Sequence, residues 1–417
     1  MKLTKVGALA VAATLAFGAV GACATTPGAT QGGDGADKGE IEVWSSLPRQ
    51  GSSKGQTDTI VNGIRLALEE RGETIEGWTI KYEDKDDSTA EAGQWTQDKE
   101  IENATGAAND ENVVAYIGPF NSGAAQVSIP ILCNAGLVQV SPANTYPGLT
   151  KPGKGAEGEP EKFYTNCKEG KKTYFRVIPA DDLQGLAAAK WASSLGFKTV
   201  YVIDDSQLYG KGIADVFERE APGQNLEVVG RTGILGTETD YKSLAEQIRG
   251  IGPDLVYFGG ITQQNAGQLW RDVKEALPDV AMMGPDGILE EAFVTAAADA
   301  AEGTYITFGG LPADQLTGTG AEFVKAYEEK FGTLEAYTAY GYEAANVVLD
   351  AIERAAKRNP ANKAEFRTFV LEEVAATKDY SGALGTWSFD ENGDTTLTAM
   401  SGNVVEGGKF VFKEVIE

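Results

Sequence analysis

The chain has 417 residues, with 36 Lys and Arg against 61 Asp and Glu, no His, three Cys, 51 Gly and 15 Pro. That length exceeds one simple core, so two or more lobes are expected, and 42% hydrophobic residues with 9% aromatics is globular composition. A net charge of −25 argues against nucleic acids and anionic lipid surfaces as partners, since each needs a positive face. The absence of histidine excludes Ser-His-Asp and Cys-His catalysis, imidazole metal ligation and an imidazole pH switch.

At the N-terminus, Lys2 and Lys5 precede an apolar run from Val6 to Val20, which ends in Val20-Gly21-Ala22-Cys23. A charged start, an apolar stretch of export length and small residues before a cleavage point mark residues 1–22 as a signal peptide. The run falls short of the roughly 20 apolar residues of a membrane-spanning helix. Its Val-Gly-Ala-Cys ending resembles the lipobox of bacterial lipoproteins, which implies that Cys23 is diacylated and becomes the mature N-terminus. An ordinary signal peptide with a chance cysteine is the alternative. Residues 23–39 are small, polar and Gly-rich, as in a flexible tether. A lipid on Cys23 is then the expected membrane attachment, and the rest of the chain is extracytoplasmic. Cys133 and Cys167 remain as an even pair in an oxidising compartment. Their disulfide would close a loop of roughly 35 residues, worth about 3–4 kcal/mol; two buried thiols are the other reading.

From residue 40, short β-rich runs alternate with amphipathic helices. Residues 41–44 read as a first strand, 58–70 as a helix, 79–84 as a strand, 90–105 as a helix and 113–118 as a strand. A helix over 123–135 and a strand over 137–142 complete βαβαβαβ, which demands a parallel sheet covered on both faces. After a Pro/Gly/Lys-rich insertion at 146–172, the alternation restarts with an extended 174–177. Helices are predicted over 182–195, 210–220, 241–250 and 263–277, and strands over 199–204, 228–234, 254–260, 280–285 and 303–309. Three further helices (320–331, 340–358, 363–376) precede a hairpin around 386–396. The fold class is therefore α/β, with two doubly wound Rossmann-like lobes and a ligand site between them.

Four segments, with the order in which they stand, carry a family resemblance: 116–150 (YIGPFNSGAAQVSIPILCNAGLVQVSPANTYPGLT), 202–220, DLVYFGG (254–260) and AMMGPDG (281–287). The chain resembles the type I periplasmic-binding-protein fold, specifically the branched-chain amino acid (Leu/Ile/Val)-binding family of ABC transporter lipoproteins. The resemblance implies three crossovers, with lobe 1 over 40–179 and 309–386 and lobe 2 over 180–308 and 387–417. It places the ligand's α-carboxylate on Ser122 and Gly123, where a strand turns into a helix whose N–H groups favour an anion. It puts the Ala143 backbone and the Thr145 hydroxyl on the ligand's amino and carboxylate groups, with Asn144 replacing a smaller residue between them. Tyr209 is expected to close over the ligand, and Asp286, often Glu in the family, to pair with its ammonium. Ile261 stands where the family often has an aromatic, and the first loop (47–55) offers Ser53 and Lys54 in place of one. Both changes remove aromatic wall, so the expected ligand shifts from leucine toward a polar or differently shaped amino acid or a related amide.

Other candidates read more simply. Asp84, Asp86 and Asp87 suit a metal site or a hydrolase carboxylate pair, but a solvated strand end explains them in so acidic a chain. Asp390 to Asp394 lacks the downstream Glu of a calcium loop and reads as a hairpin turn. No glycine pattern supports a nucleotide site. The expected protein is a monomeric, non-enzymatic amino-acid receptor without cofactor or metal, serving an ABC permease. A sensor on the same fold and a secreted hydrolase are the alternatives.

Overall fold

The computed structural model describes residues 37–417; the signal segment and Cys23 lie outside the described residues. In chain order the first lobe contains β1 (Gly39–Leu47), α1 (Lys54–Arg71), β2 (Trp78–Asp86), α2 (Gln97–Asn109), β3 (Val113–Ile117), α3 (Ser122–Ala135), β4 (Val138–Ser141) and β5 (Tyr174–Arg176). The five strands are parallel in the order β2-β1-β3-β4-β5, and the short strand Thr74–Ile75 runs antiparallel along the outer edge of β2.

The second lobe follows with α4 (Asp181–Ser194), β6 (Thr199–Asp204), α5 (Leu208–Glu220), β7 (Glu227–Gly233), α6 (Lys242–Ile251), β8 (Leu255–Gly259), α7 (Ala266–Ala276), β9 (Ala281–Gly284), α8 (Glu291–Ala297) and β10 (Tyr305–Gly309). The chain then returns to the first lobe as α9 (Thr319–Phe331), α10 (Thr338–Lys357) and α11 (Lys363–Ala375). It ends in the second sheet as β11 (Met400–Glu406) and β12 (Lys409–Val415). That sheet has the order β7-β6-β8-β9-β10-β11-β12, parallel up to β10 and antiparallel beyond it.

Burial explains the architecture. Every residue of β3 and of β8 is buried, so neither strand has a wet face and each needs helices on both sides. On α10, Ala344, Val348 and Ile352 join Ile60, Ile64 and Val114 in one core, which fastens the returning helices to the first sheet. Ligand sites in such sheets lie beyond the carboxyl ends of the strands. In this chain those ends face each other across the interlobe cleft.

Several elements depart from the sequence expectations. The helix predicted from residue 90 begins at Gln97, because Ser88–Thr89 and Gln94–Trp95 pair as a small antiparallel hairpin. The hairpin expected around 386–396 is instead Tyr380–Gly382 with Gly385–Trp387; the turn at 390–393 closes a single bridge, Phe389 to Thr395. Residues 388–396, grouped from the sequence with the second lobe, lie against the first. Arg176 N–H donates to the Gly393 carbonyl (3.0 Å) and Thr395 N–H to the Arg176 carbonyl (3.1 Å). The strands β11 and β12 and the helix α8 had no predicted counterpart.

Cys133 on α3 and Cys167 form a disulfide with a Cα–Cα distance of 4.7 Å. It ties the 146–172 insertion, which folds as three short 3₁₀ turns, to the back of α3.

Candidate ligand-binding site

The first half of the site is the mouth of α3. Asn121 is the residue before the helix, and Ser122 is its first residue. The Asn121 side chain does not cap the helix and no acidic side chain occupies the first turn. First-turn N–H groups have no intrahelical acceptor, and the helix dipole adds positive potential there. This is a site for an anionic oxygen, with the Ser122 hydroxyl beside it. Ser122 Oγ already accepts from the Tyr146 N–H at 3.3 Å.

The loop after β4 is held by its own side chains. Ser141 Oγ accepts the N–H groups of Ala143 (3.1 Å) and Asn144 (2.9 Å) and donates to the Pro119 carbonyl (2.9 Å). Ala143 therefore has its carbonyl to offer a ligand, since its N–H is committed. Asn144 lies beneath the site, not in it: Nδ2 donates to the Phe120 carbonyl (2.8 Å) and Oδ1 accepts from Tyr174 (3.0 Å). The replacement of a smaller residue there thus buys rigidity between two loops. Gly123 also faces away from the cavity, and a Cβ on it would fall 2.5 Å from the Trp95 ring. Beneath this loop Arg176, wholly buried, binds Asp394 (2.7 Å) and the carbonyls of Asn144 (3.3 Å) and Tyr146 (2.8 Å). It thereby fixes the backbone on both sides of Thr145.

The second half is acidic. Asp286 sits just after β9, where Oδ1 accepts from Tyr209 Oη (2.7 Å) and Gln184 Nε2 (2.7 Å), and Oδ2 accepts from the Tyr337 hydroxyl. Asp181, the first residue of α4, is fully buried; its N–H donates to the Thr145 carbonyl at 2.8 Å. Neither carboxylate oxygen of Asp181 has a hydrogen bond of normal geometry, and the Thr145 hydroxyl is the polar group beside them. Burial pushes the Asp181 carboxyl well above its ordinary range, and the charge of Asp286 pushes it further. Burial also raises Asp286, against the pull of its three donors. Burial and the adjacent carboxylates likewise hold the hydroxyls of Tyr209 and Tyr337 well above the usual phenol range, so both remain donors.

One small cavity of about 30 Å³ joins the two halves, lined among others by Ser122, Ala143, Thr145, Tyr209, Ile261 and Asp286. The structure thus brings together six of the eight ligand residues expected from the sequence. Aromatic wall is not missing. It comes from Phe120 and Tyr337, which also line the cavity and pack edge to face at 5.4 Å. Phe120 directly precedes Asn121-Ser122 and could have been read from that motif. Tyr337 and Asp181 carry no local signal, because an aromatic before a helix and an acid in a first turn are commonplace.

The lobes meet directly around the cavity. Gln263 of the second lobe bonds Ser53 of the first, and Gln264 Nε2 donates to Gln94 Oε1 at 2.9 Å. Lys54, by contrast, turns away to Asp58 (2.5 Å). The acidic run at 84–87 is spent on structure: Asp84 pairs with Arg49 (3.3 Å), and Asp86 accepts from Gln50 Nε2 (2.7 Å) and the Arg49 N–H (3.0 Å). Asp87 is sealed from solvent. Among the described residues no cluster of three or more His, Cys, Asp or Glu is arranged to hold a metal.

Known proteins share this architecture. The family model for periplasmic binding proteins matches residues 41–409, nearly all of the described chain. The chain belongs to the periplasmic binding protein family. It is 28% identical over 378 residues to the Leu/Ile/Val-binding protein BraC3 of Rhizobium johnstonii, covering 90% of this chain and 94% of that one. Among solved structures it resembles a leucine-binding protein of Thermotoga maritima, with a TM-score of 0.77 and 26% identity over 90% of this chain and 99% of that one. The branched-chain amino acid transporter substrate-binding protein of Streptococcus pneumoniae, solved with isoleucine, shares the fold at a TM-score of 0.75 and 23% identity; 90% of this chain and 99% of that one are covered. This periplasmic binding protein has the type I fold, and its family binds solutes without transforming them. No helix among the described residues is long and apolar enough to cross a membrane.

Proposed function

We propose that this protein is the extracytoplasmic receptor of an ABC importer, anchored by a lipid on Cys23, and that its cargo is a free amino acid. One observation carries the choice of ligand. A helix mouth that favours an anion and the buried carboxylate of Asp286 line the same small interlobe site, and Asp181, whose carboxylate oxygens lack a hydrogen bond of normal geometry, is buried behind it next to Asp286. A free α-amino acid carries the two complementary charges on adjacent atoms. Its carboxylate would take the α3 N–H groups and the hydroxyls of Ser122 and Thr145. Its ammonium would take the Ala143 carbonyl, Asp181 and Asp286.

Size supports a single amino acid over a peptide. The cavity of about 30 Å³ is far below the roughly 300–1,000 Å³ of small-molecule sites, so the lobes must part to admit a ligand, and a single amino acid asks less of that opening than a peptide does. Relatives named for Leu, Ile and Val binding support the class. The walls of Phe120, Tyr337 and Ile261 suit an apolar side chain of modest size, which moves the expected ligand back toward the aliphatic amino acids. Ligand stabilises the closed lobes because it contacts both of them, and that closed form would present itself to the permease.

The test is a thermal-shift screen of the exported protein against the twenty amino acids. The reading expects at least one, with an aliphatic side chain, to raise the melting temperature. If none does, the zwitterion reading fails.

A further inference from the structure

We propose that Tyr146, at the head of the 146–172 insertion, is a positioning residue that clasps the second lobe over the bound ligand, with Gly212 as its landing point. The proposal rests on the amino-acid reading of the cleft.

Tyr146 follows Thr145 directly and is pinned at every polar atom. Its N–H donates to Ser122 Oγ (3.3 Å), its carbonyl accepts from Arg176 (2.8 Å), and its hydroxyl donates to Glu159 (2.7 Å). Glu159 is itself held by the Ala156 N–H and Lys162, each at 2.8 Å. The insertion is closed at its far end by the Cys133–Cys167 disulfide. The Tyr146 ring therefore has a fixed place on the first lobe, in a cluster with Ile129, Leu149 and Phe163.

What meets this ring belongs to the other lobe. Leu208, the first residue of α5, packs on the cluster, and Gly212 lies one turn further along the same helix. A Cβ on Gly212 would fall 2.6 Å from Cδ2 and 2.7 Å from Cε2 of Tyr146. Separations under about 3 Å force something to move, and the pinned ring is the less mobile partner. The absence of a side chain at 212 is what lets α5 approach. Tyr209, whose hydroxyl holds Asp286, rides on that helix. Seating α5 against Tyr146 thus sets the position of the ammonium-binding carboxylate relative to the carboxylate-binding helix.

Gly212→Ala separates this role from a merely structural one, because alanine is the better helix former and by itself should steady α5. Small-angle scattering of the whole chain, with and without L-leucine or L-alanine at about 10 mM, reports closure, and calorimetry reports affinity for the same probes. The clasp predicts a larger radius of gyration for Gly212→Ala, an affinity weakened about tenfold or more, and no fall in the ligand-free melting temperature. It also predicts that Tyr146→Ala added to Gly212→Ala restores part of the loss, since removing the ring removes the clash. Unchanged scattering and affinity in Gly212→Ala would overturn the clasp, as would effects of the two substitutions that simply add. Should neither probe bind the wild type, scattering alone decides the clasp, and the screen of twenty amino acids decides the ligand reading separately.

Discussion

Removing the charge of Asp181 should harm binding more than removing that of Asp286, although the second is the residue the sequence motif points to. Asp286 already accepts from Tyr209, Gln184 and Tyr337, whereas both oxygens of Asp181 lack a partner. In Asp286→Asn the ammonium loses one charge-assisted bond, about 1.5–3 kcal/mol, or roughly 10- to 150-fold in Kd. In Asp181→Asn it loses the acceptor with no other donor, and breaking such a buried pair costs about 3–5 kcal/mol, or roughly 150- to 4,000-fold. Ligand-free stability should change in the opposite sense. A carboxyl whose folded pKa is raised destabilises the fold as pH climbs from its unfolded value, near 3.8, through the folded one. Asp181→Asn should therefore melt higher than wild type at pH 8, with the gap closing toward pH 4. Titration calorimetry with the best-binding amino acid and scanning calorimetry at the two pH values measure both effects. Equal affinity of Asp181→Asn and wild type, or a larger loss in Asp286→Asn, would refute the reasoning.

Three further outcomes are expected. Because Asp181 and Asp286 both favour the protonated form more than isolated carboxyls do, an arriving ammonium should expel a proton; calorimetry in buffers of different ionisation enthalpy should show release, and affinity should rise with pH until both groups are ionised. Arg176→Leu leaves buried Asp394 with only Lys151 at 3.7 Å and the Thr150 hydroxyl, so denaturant unfolding should reveal a loss toward the lower end of about 3–5 kcal/mol. Asp394, its carboxyl held below the ordinary range mainly by Arg176 against burial, contributes stability above pH about 4 that fades as pH falls through its folded pKa. Replacing Cys133 and Cys167 together by alanine should cost about 3–4 kcal/mol for a separation of 34 residues, measured by urea unfolding.

Most of the scaffold was legible because its strands are buried on both faces. Runs such as 113–117 and 255–259 hold no polar position that could face water, so they read as parallel strands at once. The start of α2 was misread because the choice is tertiary: residues 88–95 pair as a hairpin whose Trp95 packs against Gly123 of α3. The last two strands were readable in hindsight, with β-rich runs flanking Gly407-Gly408, both at positive φ (59° and 72°). At the site, Ser122, Ala143, Thr145, Tyr209, Ile261 and Asp286 were found through their motifs. Asp181 and Tyr337 were not, because only the closed fold reveals what an acid in a first turn or a loop tyrosine faces. Asn144 misled for the converse reason: its place in the ligand loop is conspicuous in sequence, while its amide is turned inward to hold that loop.

The central claim, one zwitterion spanning the α3 mouth and the Asp181–Asp286 pair, is tested most directly by removing the ligand's charges one at a time. Calorimetry would compare an amino acid that binds with its des-amino acid and its carboxamide. The account predicts that the amino acid binds and that each analogue loses at least about 100-fold, in line with about 3 kcal/mol for a buried charged contact. An analogue without the ammonium that binds as tightly as the amino acid would contradict it.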